Sequence, residues 1–435
     1  MSKLIVDITQ LVNWQGKLTG IPRVMDEIAS RYAVSENDPH FVAWSAPLGG
    51  FEPVDLKVSM GRRQTTVIPQ VASPEVGHTD SYSLVHRALR KGKRLAAGAS
   101  RRVGIYEYAN RVAGPYLRLQ SSFETPRSLV TPAHGDTLLI LWGEWADDTY
   151  IRRIVELKAN GVLLAQVSYD MLPAVTPQYS GHSTAPFIRY NREILPICDL
   201  VLSISEHTRQ DIKVWLGEQG LKVPRIEVIR LGDTLTNKHA IQPQDPSFDS
   251  AGLMGGDYIL CVGTIEARKN HALLYYVYKL AKERGIKLPK LIIVGRRGWL
   301  TENIFELITT DPDTANKIIP LLETSDDELT WLYRHCSFTV YPSFYEGWGL
   351  PIAESVAHGV PCISSNTSSM PEIAGSLIDY FSPASTEECL GAIMGLTDPS
   401  KLADAKRRVR QYKITLWDET FITVERLIGE LKNAN

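Results

Sequence analysis

The sequence predicts an α/β protein built as two Rossmann-like domains, each a parallel sheet covered by helices on both faces. Three observations predict it. Short apolar runs alternate with helical text along most of the chain, which is the pattern of strands buried on both faces and joined by right-handed crossovers. The 435 residues exceed what one core usually holds, so two domains are expected. A polar stretch rich in Pro and Gly, from about Thr236 to Asp257, breaks the pattern in the middle and reads as the interdomain linker. The predicted domains are 1–240 and 257–415, with a final segment 416–435.

In the first half, strands are expected at Leu4–Ile8, Phe41–Trp44, Thr137–Leu141, Val162–Ser168, Leu200–Ile204 and Ile226–Ile229, with helices such as Pro22–Tyr32 and Glu206–Leu216 between them. In the second half, Tyr258–Val262, Leu291–Val294, Phe338–Tyr341 and Pro361–Ser364 take the strand role. Phe421, Val424, Leu427, Ile428 and Leu431 recur at helical spacing, so Trp417–Leu431 is expected to be a helix packed on a neighbour.

The chemistry concentrates in two stretches. Ser343-Phe-Tyr-Glu346-Gly347-Trp-Gly349-Leu350-Pro-Ile-Ala-Glu354 leaves a strand and opens a helix. Pro351 suits a first helical position and Gly359 the stop after the last turn. Gly347 and Gly349 let the backbone approach a ligand, and the helix start offers free N–H groups to an anion. Glu346 and Glu354 can then face one pocket at the carboxyl ends of the strands, where vicinal sugar hydroxyls suit carboxylates. Alone, Glu354 would read as a stabilising acid near a helix start. The second stretch is Gly263-Thr264-Ile-Glu-Ala-Arg268-Lys269-Asn270-His271. It turns at a glycine between a strand and a helix and sets Arg268 and Lys269 where a diphosphate could be held. A solvated surface pair is the alternative.

Together these motifs resemble the family-4 retaining glycosyltransferases of the two-domain GT-B fold, whose E-x7-E signature appears here as Glu346 and Glu354. The likeness extends over most of residues 257–431. Gly16-Lys-Leu-Thr-Gly20-Ile-Pro-Arg23 looks like the acceptor-side glycine loop, and Ser203-Ile-Ser205-Glu206-His207-Thr208 like the strand–helix junction facing the cleft. The resemblance implies that Glu354 holds the donor ribose and Glu346 the sugar hydroxyls. It implies that Arg268 and Lys269 bind the leaving diphosphate with the backbone of Gly347–Leu350, together with Gly263 and Thr264. The base would pack near Gly295-Arg296 and Ile318–Leu322, and the last helix would cross back onto the first domain. One departure stands out: Tyr169 precedes Asp170 where many relatives have His-Asp. Asp170 is an acceptor-side candidate, or else a turn carboxylate before Pro173.

A nucleotide-diphosphate sugar is thus the expected donor, GDP-mannose being the one the resemblance favours, with rhamnose, fucose, glucose and galactose donors open. The expected acceptor is a saccharide or lipid-linked hydroxyl in surface polysaccharide assembly. No cofactor and no metal are expected; Asp311-Pro-Asp313 has the letters of a metal site but the setting of a loop. A catalytically inactive sugar-nucleotide-binding or scaffold protein is the alternative.

Composition bounds the partners. A net charge of −2 argues against nucleic acid. The five cysteines are widely spaced in apolar text and read as buried free thiols in a reducing compartment. The first residues lack the pattern of a signal peptide, and no apolar run is long enough to span a bilayer, so a cytoplasmic enzyme is expected. Within an insertion at about 80–120, segment 87–118 carries nine Arg and Lys against the single acid Glu107. It could rest on an anionic membrane surface or be a solvated insertion.

Overall fold

A computed structural model of the chain describes residues 2–14, 16, 18–56, 129–234, 257–298 and 301–434. The basic segment 87–118 and nearly all of the predicted linker lie outside the described residues.

The first sheet contains β1 (Leu4–Asp7), β2 (His40–Ser45), β3 (Gly50–Pro53), β4 (Thr137–Ile140), β5 (Leu163–Ser168), β6 (Leu200–Ser203) and β7 (Ile226–Val228), in the order β3-β2-β1-β4-β5-β6-β7. All pairs are parallel except β2 with β3. Its helices are α1 (Thr9–Asn13), α2 (Ile21–Tyr32), α3 (Asp148–Ala159), α4 (Leu172–Val175), α5 (Thr184–Ile194) and α6 (Glu206–Glu218). The second sheet is wholly parallel. It runs β10-β9-β8-β11-β12-β13 and is built from β8 (Tyr258–Val262), β9 (Lys290–Val294), β10 (Ile318–Leu321), β11 (Phe338–Tyr341), β12 (Cys362–Ser365) and β13 (Asp379–Phe381). Around it lie α7 (His271–Glu283), α8 (Glu302–Thr310), α9 (Asp326–His335), α10 (Leu350–Ala357), α11 (Met370–Ala374), α12 (Thr386–Thr397) and α13 (Pro399–Val409).

Strands β1, β4, β5, β6, β11 and β12 are buried at every position, which is why most of them read as apolar runs rather than alternating ones. Each predicted strand is present to within one residue at either end. The edge strands β3 and β13 carry no such run; β10 is apolar but contains Pro320 and is mostly half-buried, as an edge strand can be.

Strand order fixes where ligands can go. In the first sheet the chain winds one way from β1 to β2 and the other way from β1 to β4; in the second sheet β8 plays the same part between β9 and β11. Crevices open at such reversals, at the carboxyl ends of the strands. The loops after β1 and β4 therefore flank one crevice, and those after β8 and β11 flank the other.

The last helix, α14 (Trp417–Asn433), docks on the first lobe. The Tyr32 and Phe421 rings meet edge to face at 4.8 Å, and Arg31 pairs with Asp418 at 2.6 Å. Its Trp417 indole donates to the Thr234 carbonyl at 3.1 Å and lies so close to Gly232 that a Cβ there would fall 2.5 Å from the ring. Two chain segments meet at this point. Asp233 N–H donates to the Thr415 carbonyl at 3.0 Å, and Thr415 N–H donates to the Asp233 carboxylate at 2.7 Å. Arg230 binds Thr415 Oγ1 and the Tyr412 hydroxyl, both at 2.7 Å.

Candidate active site

At the end of β8 the chain turns at Gly263, whose φ of +148° favours glycine. Gly295 at the end of β9 faces it so closely that a Cβ would sit 2.0 Å from the Gly263 carbonyl oxygen. Bare backbone there leaves room for the Lys269 side chain, 3.6 Å from where a Gly263 Cβ would be. A single 3₁₀ turn, Ala267–Lys269, then presents both cations. Asn270 follows in the left-handed region, φ +58°, and its amide donates to the Pro342 and Pro383 carbonyls at 3.1 and 2.9 Å. That anchors the cationic turn to the loop after β11.

Glu346, on that loop, receives both cations. Arg268 Nη1 lies 2.6 Å from Oε2 and Lys269 Nζ 2.6 Å from Oε1. The Tyr341 hydroxyl donates to Oε1 at 2.9 Å and accepts from Lys269 at 2.6 Å. Arg268 also binds Glu266 Oε1 at 2.6 Å and the Tyr345 carbonyl at 2.7 Å. Burial alone would raise the Glu346 carboxyl, but Arg268 and Lys269 outweigh it and hold it down at about 2. Burial likewise works against the Arg268 charge, and Glu346 and Glu266 hold it on. The group is a nearly dry, fully ionised cluster.

The loop leads into α10 through two glycines with distinct reasons. Gly347 presses on the Tyr169 carbonyl of the first lobe, where a Cβ would come within 1.9 Å. Gly349 caps the helix at φ +122°. Ser369 Oγ donates to the Glu346 and Trp348 carbonyls at 2.9 and 2.8 Å, and Glu346 N–H donates to Ser368 Oγ at 2.9 Å. Half-buried Leu350 opens the helix, with Pro351 behind it.

Glu354 sits in a different nest. Its Oε1 accepts from Arg23 Nη1 at 2.5 Å, and its Oε2 from the Tyr333 hydroxyl at 2.9 Å. Arg23 belongs to the first turn of α2, just after Gly20, the helix cap at φ +57°. Burial disfavours its charge, but Glu354 keeps it protonated. Sequence reasoning quoted this arginine only as part of the glycine loop, because a pairing across the two lobes leaves no local signal. Tyr333 and Tyr341, one partner from each nest, line a single small cavity with Val262 and Pro351.

The acceptor-side candidates fall unevenly. Asp170 lies against Gly347, 3.0 Å from where a Cβ would be. Burial raises its carboxyl and Arg268 opposes the shift. It also accepts from Leu172 N–H at 3.0 Å, the contact of a turn carboxylate before Pro173. Tyr169 is buried, with a hydroxyl that has no hydrogen-bond partner among the described residues. At the start of α6, the Glu206 and His207 N–H groups donate to Glu372 of α11 at 2.8 and 2.7 Å. Thr264 and Arg296 are exposed. Arg296 reaches the loop after β1, 3.2 Å from where a Gly16 Cβ would be, and makes no ion pair among the described residues.

Asp311 and Asp313 are both claimed by Lys279, at 3.0 and 2.7 Å. Among the described residues no group of three His, Cys, Asp or Glu is placed to hold a metal. All five cysteines are buried and free, and no described helix is long and apolar enough to cross a membrane.

Solved structures share this GT-B architecture over the full length of the chain. The sucrose-phosphate synthase of Thermosynechococcus elongatus aligns with a TM-score of 0.58 at 15% identity, covering 100% of both chains. An Anabaena protein crystallised with UDP and glucose aligns at 0.57 and 12% identity, covering 99% of this chain and all of its own. Among curated proteins, the chain is 30% identical over 210 residues to an Escherichia coli O-antigen chain mannosyltransferase B, covering 48% of this chain and 54% of that one. It is 26% identical over 255 residues to an E. coli serotype-specific mannosyltransferase, covering 56% and 31%. The chain thus spans about half or less of the length of these relatives. Over residues 245–394, the segment that carries Arg268, Lys269, Glu346 and Glu354, it matches the family described as glycosyl transferases group 1.

Proposed function

We propose that the chain is a retaining, metal-independent glycosyltransferase of the E-x7-E type. It moves a hexose, mannose by preference, from a nucleotide-diphosphate donor to a saccharide or lipid-linked hydroxyl in surface polysaccharide biosynthesis. The observation that carries this reading is the meeting of Arg268, Lys269 and Glu346 beside the start of α10, at the crevice of the second sheet. Two relatives named as mannosyltransferases, one of an O-antigen chain and one serotype-specific, support the sugar and the setting.

In this reading residues 257–415 hold the donor and residues 1–240 the acceptor. The bond from the anomeric carbon to the phosphate oxygen breaks, and the acceptor oxygen bonds to that carbon on the same face. The acceptor proton passes to the departing phosphate. The chief task is electrostatic: Arg268, Lys269 and the N–H groups at Gly347–Leu350 stabilise the diphosphate's growing charge in a dry pocket. Glu346 and Glu354 take hydroxyls of the sugar and the ribose, so Arg23 has to yield or share Glu354 when the donor enters. Asp170, beside Gly347, lies where the acceptor would approach. Location on the cytoplasmic face of the membrane, through segment 87–118, belongs to the same proposal.

The test is a panel of nucleotide sugars read by thermal shift and by nucleotide release with saccharide acceptors. A ligand at 100 times its dissociation constant stabilises by about 2.7 kcal/mol. GDP-mannose should stabilise and turn over, with unchanged rate in chelator and an α-linked product. An enzyme that neither binds nor turns over any nucleotide sugar removes the proposal.

A further inference from the structure

The crevice of the first sheet opens between the loops after β1 and β4, and the second of these loops has a composition the cluster above does not use. It reads Leu141-Trp142-Gly143-Glu144-Trp145. Both tryptophans are partly exposed, with ring centroids 6.4 Å apart and planes tilted by 33°. Trp142 meets the Tyr169 ring edge to face at 6.4 Å, and Trp145 meets Phe187 of α5 at 5.3 Å. Gly143 holds the loop down: a Cβ there would fall 2.2 Å from the Tyr190 hydroxyl.

Three carboxylates lie at this edge, and two are fully employed. Asp7 accepts from Thr9 N–H at 2.9 Å and from the Thr9 and Tyr150 hydroxyls, both at 2.5 Å. Asp147 caps α3 and accepts from the Trp44 indole at 2.8 Å. The Glu144 carboxylate alone has no hydrogen bond or ion pair among the described residues. A half-buried acid without a partner is unfavourable. Burial, then Asp7 and Asp147, push its carboxyl up to about 7, so near neutrality it can both donate and accept. The Tyr169 hydroxyl beside Trp142 is also buried and unsatisfied.

We propose that Trp142, Glu144 and Trp145 form the subsite for the acceptor saccharide, with a pyranose face on the indoles and its hydroxyls on Glu144 and Tyr169. Aromatic surface joined to a few unsatisfied polar groups is the chemistry that recognises a sugar. The place is right for transfer: Tyr169 carries the carbonyl against which Gly347 packs, and Asp170 follows it. The inference rests on the glycosyltransferase reading and adds which residues choose the acceptor.

Methyl α-mannopyranoside, methyl α-glucopyranoside and N-acetylglucosamine are titrated by tryptophan fluorescence against wild type, Glu144→Gln and Trp145→Phe. GDP binding is measured on the same samples. At least one sugar should perturb the wild-type signal saturably. Glu144→Gln should weaken it at least tenfold and Trp145→Phe severalfold, with GDP affinity held within twofold. No response from any of the three sugars, or equal affinity in all three proteins, overturns the subsite while GDP binding leaves the donor reading standing. Failure of the wild type to bind GDP, UDP or any other nucleoside diphosphate overturns the donor reading and this inference with it.

Discussion

Glu346 and Glu354 stand eight residues apart and are both almost wholly buried, at 7% and 2% exposure, yet their surroundings differ in kind. Glu346 is neutralised by two cations from a neighbouring loop of its own lobe. Glu354 is neutralised by Arg23, which comes from the other lobe. The first arrangement exists whenever the second lobe is folded. The second exists only while the lobes are together. One signature thus contains a fixed charge centre and a contact that reports lobe approach.

The largest effects should come from the fixed centre. Lys269→Ala and Glu346→Ala are each expected to cut turnover at least 100-fold, about 2.7 kcal/mol; wild-type-like rates in both variants would refute the site. Because the Glu346 carboxyl is depressed to about 2, its contribution to stability is complete above its ordinary range near 4.5. That contribution is lost as pH falls from there through 2. Acid titrations of wild type and Glu346→Gln should diverge only in that window.

Next in size is the contact between lobes. Arg23→Ala leaves Glu354 buried with a tyrosine alone, and breaking a buried pair this way costs about 3–5 kcal/mol. A double-mutant cycle of Arg23→Ala with Glu354→Gln in urea should return a coupling above about 1 kcal/mol. Coupling near zero would erase the contrast between the two carboxylates.

A smaller effect is expected at the crevice of the first sheet. Glu144 is raised to about 7, so wild type should lose stability as pH rises from near 4.5 through 7. Glu144→Gln should lack that decline; parallel profiles would show the acid to be solvated. Smallest of all, Asp313→Asn should leave turnover within about twofold, with or without chelator, since a partly solvated pair with Lys279 contributes little.

Much of this was readable beforehand, for identifiable reasons. β8 and β11 are largely apolar because both faces are covered, and the glycines and cations after them are contiguous in the chain. Local text also placed Gly20 before a helix and Asp170 in a turn. The partners were not legible. Arg23 and Tyr333 reach Glu354 from 331 and 21 residues away, and nothing near them in sequence announces it. Gly347 reads as a ligand-approach glycine, but its first constraint is the Tyr169 carbonyl of the other lobe. Edge strands such as β3 and β13 escaped notice because half-covered strands need no apolar run, and Pro320 masked β10.

The double crossing beside Arg230 has a mechanical consequence. Residues 230–233 and 412–417 are stapled to each other by Asp233, Thr415 and Tyr412, while the Trp417 indole fills the space left by Gly232. Sliding one lobe past the other would shear those staples, whereas a door-like swing about them would not. The paired segments therefore act as a pin that selects one axis of opening. The Arg230 guanidinium, 5.2 Å from the Trp348 ring, ties that pin to the loop of Glu346.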